Sequence, residues 1–234
     1  MNYDTRPIGW IKSARQAFER FPSGVRDRVN TALTIAAEGS KADCAKPLKG
    51  LGSGVLEIAV RHRTDAYRVV YVTEIAGTLW VLHAFQKKSR TGIKTPKAEI
   101  DLIRARLGTT ERGVVVMTEN DCERVRGSGN VFCDFNDPHA DLKQAKAILA
   151  ARIIAVLDKR SLTVRKAATL TGFAAADFSR IRNADLGRFT LDRLIKMLAA
   201  LDSRIRVTVH IASEPSDPLG TLPRSGQPLS RVEA

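Results

Sequence analysis

LEIAVRHRTDAYRVVYVTEIAGTLWVLHAF, residues 56–85, contains three strand-like runs separated by short polar intervals. LEIAV (56–60) alternates Leu56, Ile58 and Val60 against Glu57 and Ala59. YRVVYV (67–72) is dense in β-branched and aromatic side chains, and TLWVLHAF (78–85) reads as a buried strand. The intervals RHRTDA (61–66) and TEIAG (73–77) are short, so the runs predict an antiparallel meander.

Helical patterns flank the meander. Trp10, Ala14, Ala17, Phe18 and Phe21 recur at helical spacing. Pro22 stops that helix and Ser23 can cap the next, whose stripe is Val25, Val29, Leu33 and Ala36 before Gly39. Downstream, Pro96 opens a helix through Ile100, Ile103 and Leu107. The stretch 107–130 has no sustained period and reads as a linker. Beyond it, Leu142, Ala145, Leu149, Ile153 and Val156 predict a long amphipathic helix. Further helices follow at 163–171, 174–183 and 190–201, then a strand over RIRVTVHI (204–211) with one wet face. Residues 212–234 hold four prolines among Ser and Gly and read as a disordered tail. The fold class expected is therefore an α+β domain (two helices, an antiparallel sheet, a closing helix) followed by an all-α domain that ends in a β-strand. The expected boundaries are 1–107, a linker at 108–130, 131–211, and a tail at 212–234.

Composition limits what such a chain can be. Hydrophobic residues make up 44% and charged residues 27%, too apolar for a disordered basic tail. No run approaches the roughly 18 apolar residues of a spanning helix, and the start shows no signal-peptide pattern. Cys44, Cys122 and Cys133 form no framework and carry no assigned role; an odd number suits a reducing cytoplasm, the expected location. The net charge is +13 and the isoelectric point about 10.1, which points to a polyanion. Residues 1–116 carry 20 basic and 11 acidic side chains, and residues 117–234 carry 18 and 14, so the front half is the more basic.

The front-half cations gather on and beside the strands: Arg61, His62, Arg63, Arg68, Lys87, Lys88 and Arg90, with Lys46 and Lys49 upstream in KPLKGLGSG. Without clustered carboxylates or histidines at ligand spacing, a metal nuclease is not expected, nor any cofactor. RNA can be cut by its own 2′-hydroxyl if a base takes the proton, cations hold the phosphorane charge and an acid protonates the leaving oxygen. A lysine crowded by cations, or His62, could be that base, whereas an arginine stays protonated. The residues alone leave a sheet that binds RNA without cutting it equally open.

In the back half, LTVRKAATLTGFAAADFSRIRN (162–183) has a helix-turn-helix spacing. Ala168 is small where two helices approach, Gly172 suits a turn with positive φ, and Phe178 and Ile181 hold the second helix. Residues 174–183 are then the recognition helix. Ser179, Arg180, Arg182 and Asn183 can reach phosphates or bases, with Arg165, Lys166 and Arg188 beside the backbone. The first turn, AAAD (174–177), offers no base-reading donor and one charge that repels phosphate, so weak reading of DNA is expected.

LWVLHAFQKKSRTGIKTPKAEIDLIRARL (79–107), supported by KPLKGLGSGVLEIAV (46–60) and DAYRVVYV (65–72), resembles the RelE/HigB (ParE-like) toxin superfamily in its phage-derived, HigB-like branch. The resemblance covers 1–107. It implies a ribosome-dependent endoribonuclease that cleaves translated mRNA with scattered basic residues. By local match Arg68 corresponds to the family's strand arginine, Lys87 to its basic residue after the last strand, Arg61 to a catalytic Lys or Arg, and His62 to a position often basic or His. No tyrosine follows Lys87 as one does in RelE, so the base-stacking residue and the general acid stay unassigned. RGSGNVFCDF (126–135), LAARIIAVL (149–157), the helix-turn-helix and GRFTLDRLIKMLAALDSRIRVTV (187–209) resemble HigA-like antitoxins of the Xre family. That implies neutralisation of the toxin and repression of its own promoter as a dimer.

Together the halves give a toxin followed by its antitoxin in one chain. Expected partners are the ribosome and mRNA, operator DNA, and the two halves themselves, within one chain or swapped in a homodimer; no membrane is expected. Met117 stands where a separate antitoxin could start. The alternative is a DNA-binding regulator whose toxin-like half is catalytically inactive.

Overall fold

The computed structural model describes residues 5–87, 95–109, 115–117 and 123–208. The front half runs β1 (Ile8–Ile11), α1 (Lys12–Glu19), α2 (Ser23–Ala37), β2 (Ala45–Pro47), β3 (Val55–His62), β4 (Asp65–Ile75), β5 (Thr78–Lys87) and α3 (Lys97–Arg106). Next come β6 (Leu107–Thr109), β7 (Val115–Met117) and β8 (Arg124–Val125). A 3₁₀ turn (Cys133–Phe135) leads into α4 (Ala140–Lys159), α5 (Val164–Thr171), α6 (Ala175–Arg182) and α7 (Leu191–Leu201). An antiparallel-rich α/β region is thus followed by a helical one, as the patterns predict.

The meander is β3–β4–β5, and the full sheet has the order β2-β3-β4-β5-β1-β8. Every neighbouring pair is antiparallel except β1 with β5, which is parallel. One face is covered by α1 and α2 through Phe18, Val25, Val29 and Leu33, all fully buried. Arg6 anchors the end of α2, donating to the carbonyls of Ala36 (2.6 Å) and Ala37 (3.0 Å). A guanidinium there satisfies carbonyls left open at a helix C-terminus.

Four readings from the sequence differ from the fold. Residues 8–11 are a strand rather than the first turn of a helix. All four are buried, and Trp10 fits helical spacing only because α1 starts directly after it at Lys12. The segment read as a linker carries pairing: β6 pairs with β7, and β8 adds to the sheet beside β1. Residues 205–208, expected in a closing strand, are not paired as one, and 209–211 with the tail lie outside the described residues. In the helix-turn-helix the small residue buried between helices is Ala167, while Ala168 is half-buried and its carbonyl closes the turn to Gly172.

The turn signals otherwise act as expected. The Thr163 hydroxyl accepts from the Lys166 amide at the start of α5, and Thr190 does the same for Arg193 at α7. Gly172 sits at φ +76°, a left-handed cap that a side chain would strain. Phe178 and Ile181 are fully buried.

The two halves share one hydrophobic core. α2 is buried on both sides because α4 packs on its outer surface. Thr34 of α2 donates to Gln144 of α4 (3.3 Å), and Gln144 donates to the Gly129 carbonyl (3.2 Å), so these buried polar groups are satisfied. The turn before α4 drives Phe132 (0% exposed) into the junction. Phe135 lies with ring centroids 5.1 Å from Trp10 and 5.0 Å from Phe18. Arg15 covers the same ring and donates to the Asp134 carbonyl (2.6 Å). Gly127 lets the chain pass this closely, because a Cβ there would fall on the Ile8 carbonyl.

Candidate nucleic-acid interfaces

Strand register organises the basic face. Arg61, Ala66 and Lys87 are partners across β3, β4 and β5; the next row is Ala59, Arg68 and Phe85, and the next Glu57, Val70 and His83. Directly paired residues share a face, so Arg61, Arg68 and Lys87 lie together, opposite the face covered by α1 and α2. Tyr67, one residue from Arg68, packs on Phe21 of the helix side, which fixes the alternation. Arg61 and Lys87 flank the small Ala66, two strand spacings or about 10 Å apart. Arg61 is exposed, Arg68 half-buried and Lys87 only 8% exposed.

The other sequence candidates are dispersed. His62 alternates to the opposite side of its strand from Arg61. Arg63 occupies the exposed β3–β4 turn at φ +54°. Lys46 is the exception, since on the edge strand β2 it pairs with Glu57 and so joins the Arg68 face, exposed, while Lys49 is exposed beyond β2. Lys88 and Arg90 lie outside the described residues.

Two acidic groups on the Arg68 face escape a search for cations. Glu57 Oε2 lies 2.5 Å from Arg68 Nη1, and Thr95 donates to Glu57 Oε1 (2.6 Å). Both side chains of the ion pair are largely buried, at 11% and 14% exposure. Beside them, His83 Nε2 is 2.6 Å from Glu99 Oε2, and Arg106 donates to the Leu82 carbonyl (2.5 Å) and the Ser13 hydroxyl (2.8 Å). His83 also stacks on Phe85 at 5.2 Å. These contacts fasten α3 over β5. The strand runs carry a signal for Glu57, an isolated acid two residues from each neighbouring apolar position of its own face. The partnership with Arg68 needs the register as well.

Burial pushes the His83 imidazole below its ordinary 6.5, against the pull of Glu99 toward the charged form. The unfolded chain therefore binds a proton here before the folded one does. Stability present above pH 6.5 is lost as the pH falls toward the folded value. Chemical denaturation at pH 7.5 and 5.5 should show a loss for the wild type that is smaller in His83→Gln.

In the helix-turn-helix, Arg165, Lys166, Ser179 and Arg188 are exposed. Asp177, 9% exposed, is held by Arg193 (2.5 Å) and Arg180 (3.4 Å), so its charge is partly neutralised and Arg180 is engaged. Arg182 and Asn183 meet the front half instead. Arg182 pairs with Asp158 (2.7 Å) and Asp43 (3.7 Å), and its carbonyl accepts from the Asp43 amide (2.6 Å). Arg28 donates to the Asn183 carbonyl (2.9 Å). The front half thereby caps the C-terminus of the recognition helix.

Among the described residues no helix is long and apolar enough to cross a membrane, and no group of three or more His, Cys, Asp or Glu could hold a metal ion.

An antiparallel-rich sheet that carries Arg61, Arg68 and Lys87 on one face is thus joined to a helix-turn-helix. Residues 16–108 match the model of the family described as Phage derived protein Gp49-like (DUF891), and residues 131–210 match that of a helix-turn-helix domain. No curated protein and no solved structure matches the chain. Each match covers less than half of the chain, which thus carries a region similar to the Gp49-like family followed by one similar to a helix-turn-helix domain.

Proposed function

We propose that the chain is a self-neutralised HigB–HigA-type fusion. Its front half is a metal-independent, ribosome-dependent mRNA endoribonuclease, and its back half, of the Xre type, restrains that activity and represses its own promoter as a dimer. The observation that carries this reading is the junction: α4 on α2, Phe135 against Trp10 and Phe18, and β8 beside β1. A helix-turn-helix grafted onto an unrelated enzyme has no need of a shared core. A short tether also makes the contact intramolecular, with an effective concentration near millimolar.

In this reading Arg68 and Lys87 stabilise the phosphorane charge, and Arg61 positions the scissile phosphate at the open edge of the face. Lys46, Lys49, Arg63, Lys88 and Arg90 hold RNA flanking the cut. Arg165, Lys166, Ser179, Arg180 and Arg188 supply the DNA contacts. Arg182 and Asn183 serve the junction in this conformation. The restraining half covers α1, α2 and the β1 edge, while α3 overlies part of the basic face. Restraint is then by bulk that excludes the fused chain from the ribosome, not by a plug in the site.

One observation favours the second reading, a DNA-binding regulator with an inactive toxin-like half: Glu57 already occupies Arg68. Expression in growing cells separates the two. Residues 1–107 should arrest growth, residues 117–234 supplied in trans should relieve the arrest, and the full chain should be harmless. Harmless front-half expression would favour the regulator.

A further inference from the structure

We propose that Glu57 sits in a phosphate seat, so that its carboxylate stands where an RNA phosphate binds and the basic face is shuttered from within. The inference rests on the reading of Arg68 and Lys87 as RNA contacts.

A seat for an anion needs cations in fixed positions, a hydroxyl or amide donor, and little water. The face offers each. Arg68 presents its guanidinium at 14% exposure, Lys87 lies in the neighbouring row at 8% exposure, and Arg61 stands across Ala66 at the open end. The Thr95 hydroxyl supplies the neutral donor. The carboxylate uses both oxygens in this setting, Oε2 on Arg68 and Oε1 on Thr95. A phosphate has the same need for two convergent donors, and guanidinium groups receive carboxylate and phosphate with the same fork.

Across the β2 edge Glu57 is paired with the exposed Lys46, so a second cation stands beside the seat. Glu57 is held to its own strand and can swing aside without unfolding the sheet. Thr95 stands just ahead of α3, so a shift of that segment would loosen the carboxylate first.

The test uses the full chain and inorganic phosphate, with chloride at matched ionic strength as reference. Thermal melting is followed for the wild type, Glu57→Gln, and Glu57→Gln with Arg68→Ala. Glu57→Gln should respond to phosphate at concentrations about tenfold lower than the wild type, the size of one charge-assisted hydrogen bond restored to a ligand. Adding Arg68→Ala should abolish that gain. Equal responses of Glu57→Gln and the wild type, or a gain that survives Arg68→Ala, would overturn the proposal. If Glu57→Gln does not fold, Thr95→Ala decides. It keeps the charge but loosens the carboxylate, so it must raise the phosphate response, and an unchanged response sinks the idea. A phosphate gain in Glu57→Gln, with no RNA cleavage by the front half, would keep the seat and remove the nuclease.

Discussion

Replacing Phe132 with alanine is expected to lower the stability of the whole chain by about 3–5 kcal/mol, with both halves losing structure together. Phe132 is fully buried at the junction, and its loss opens a cavity between α2 and the turn before α4. Two probes can follow the halves separately. Trp10 and Trp80, the only tryptophans, report on the front half by fluorescence, whereas far-UV circular dichroism is weighted toward the long helices of the back half. Their urea transitions should coincide in the wild type and shift together in Phe132→Ala. A shift seen by circular dichroism alone would mean that the halves are not coupled through the junction, and the junction would lose its meaning as restraint.

The second large effect concerns chemistry. In the released front half, Arg68→Ala combined with Lys87→Ala should reduce mRNA cleavage by about 10³-fold or more, since removal of a single donor to developing charge costs about 10²–10³. Arg68→Ala leaves Glu57 buried without its cation, so the variant must be shown folded by its tryptophan emission before its activity is read. Cleavage or growth arrest that survives both changes would refute the assignment of the site to this face.

Much of the architecture is legible in the sequence because it is written in local periodicity. The three runs between 56 and 85 alternate cleanly, and their spacing leaves little room for anything but a meander. Gly172 and the buried pair Phe178 and Ile181 mark the helix-turn-helix in the same local way. What was not legible depends on long-range pairing. β1 finds β5 some seventy residues on, and its four residues look like the leading edge of the helix that follows. β8 is two residues in a polar stretch, with no pattern to betray it until β1 offers an edge. The same limit applies to the sites. Residue type singles out Arg61, Arg68 and Lys87, but only register puts them on one face and sends His62 to the other. Arg182 and Asn183 look like recognition-helix polar residues in sequence. Asp43 and Arg28, which engage them, are more than a hundred residues away.

In the proposed arrangement a nuclease lies in the front half and is held in check by the back half. Cleavage of mRNA on translating ribosomes measures it most directly, comparing purified residues 1–107 with the full chain at equal concentration. Cuts in translated mRNA by the front half are expected, with none in free RNA and none by the full chain. An intact message with the folded front half, or equal cutting by both proteins, would contradict it.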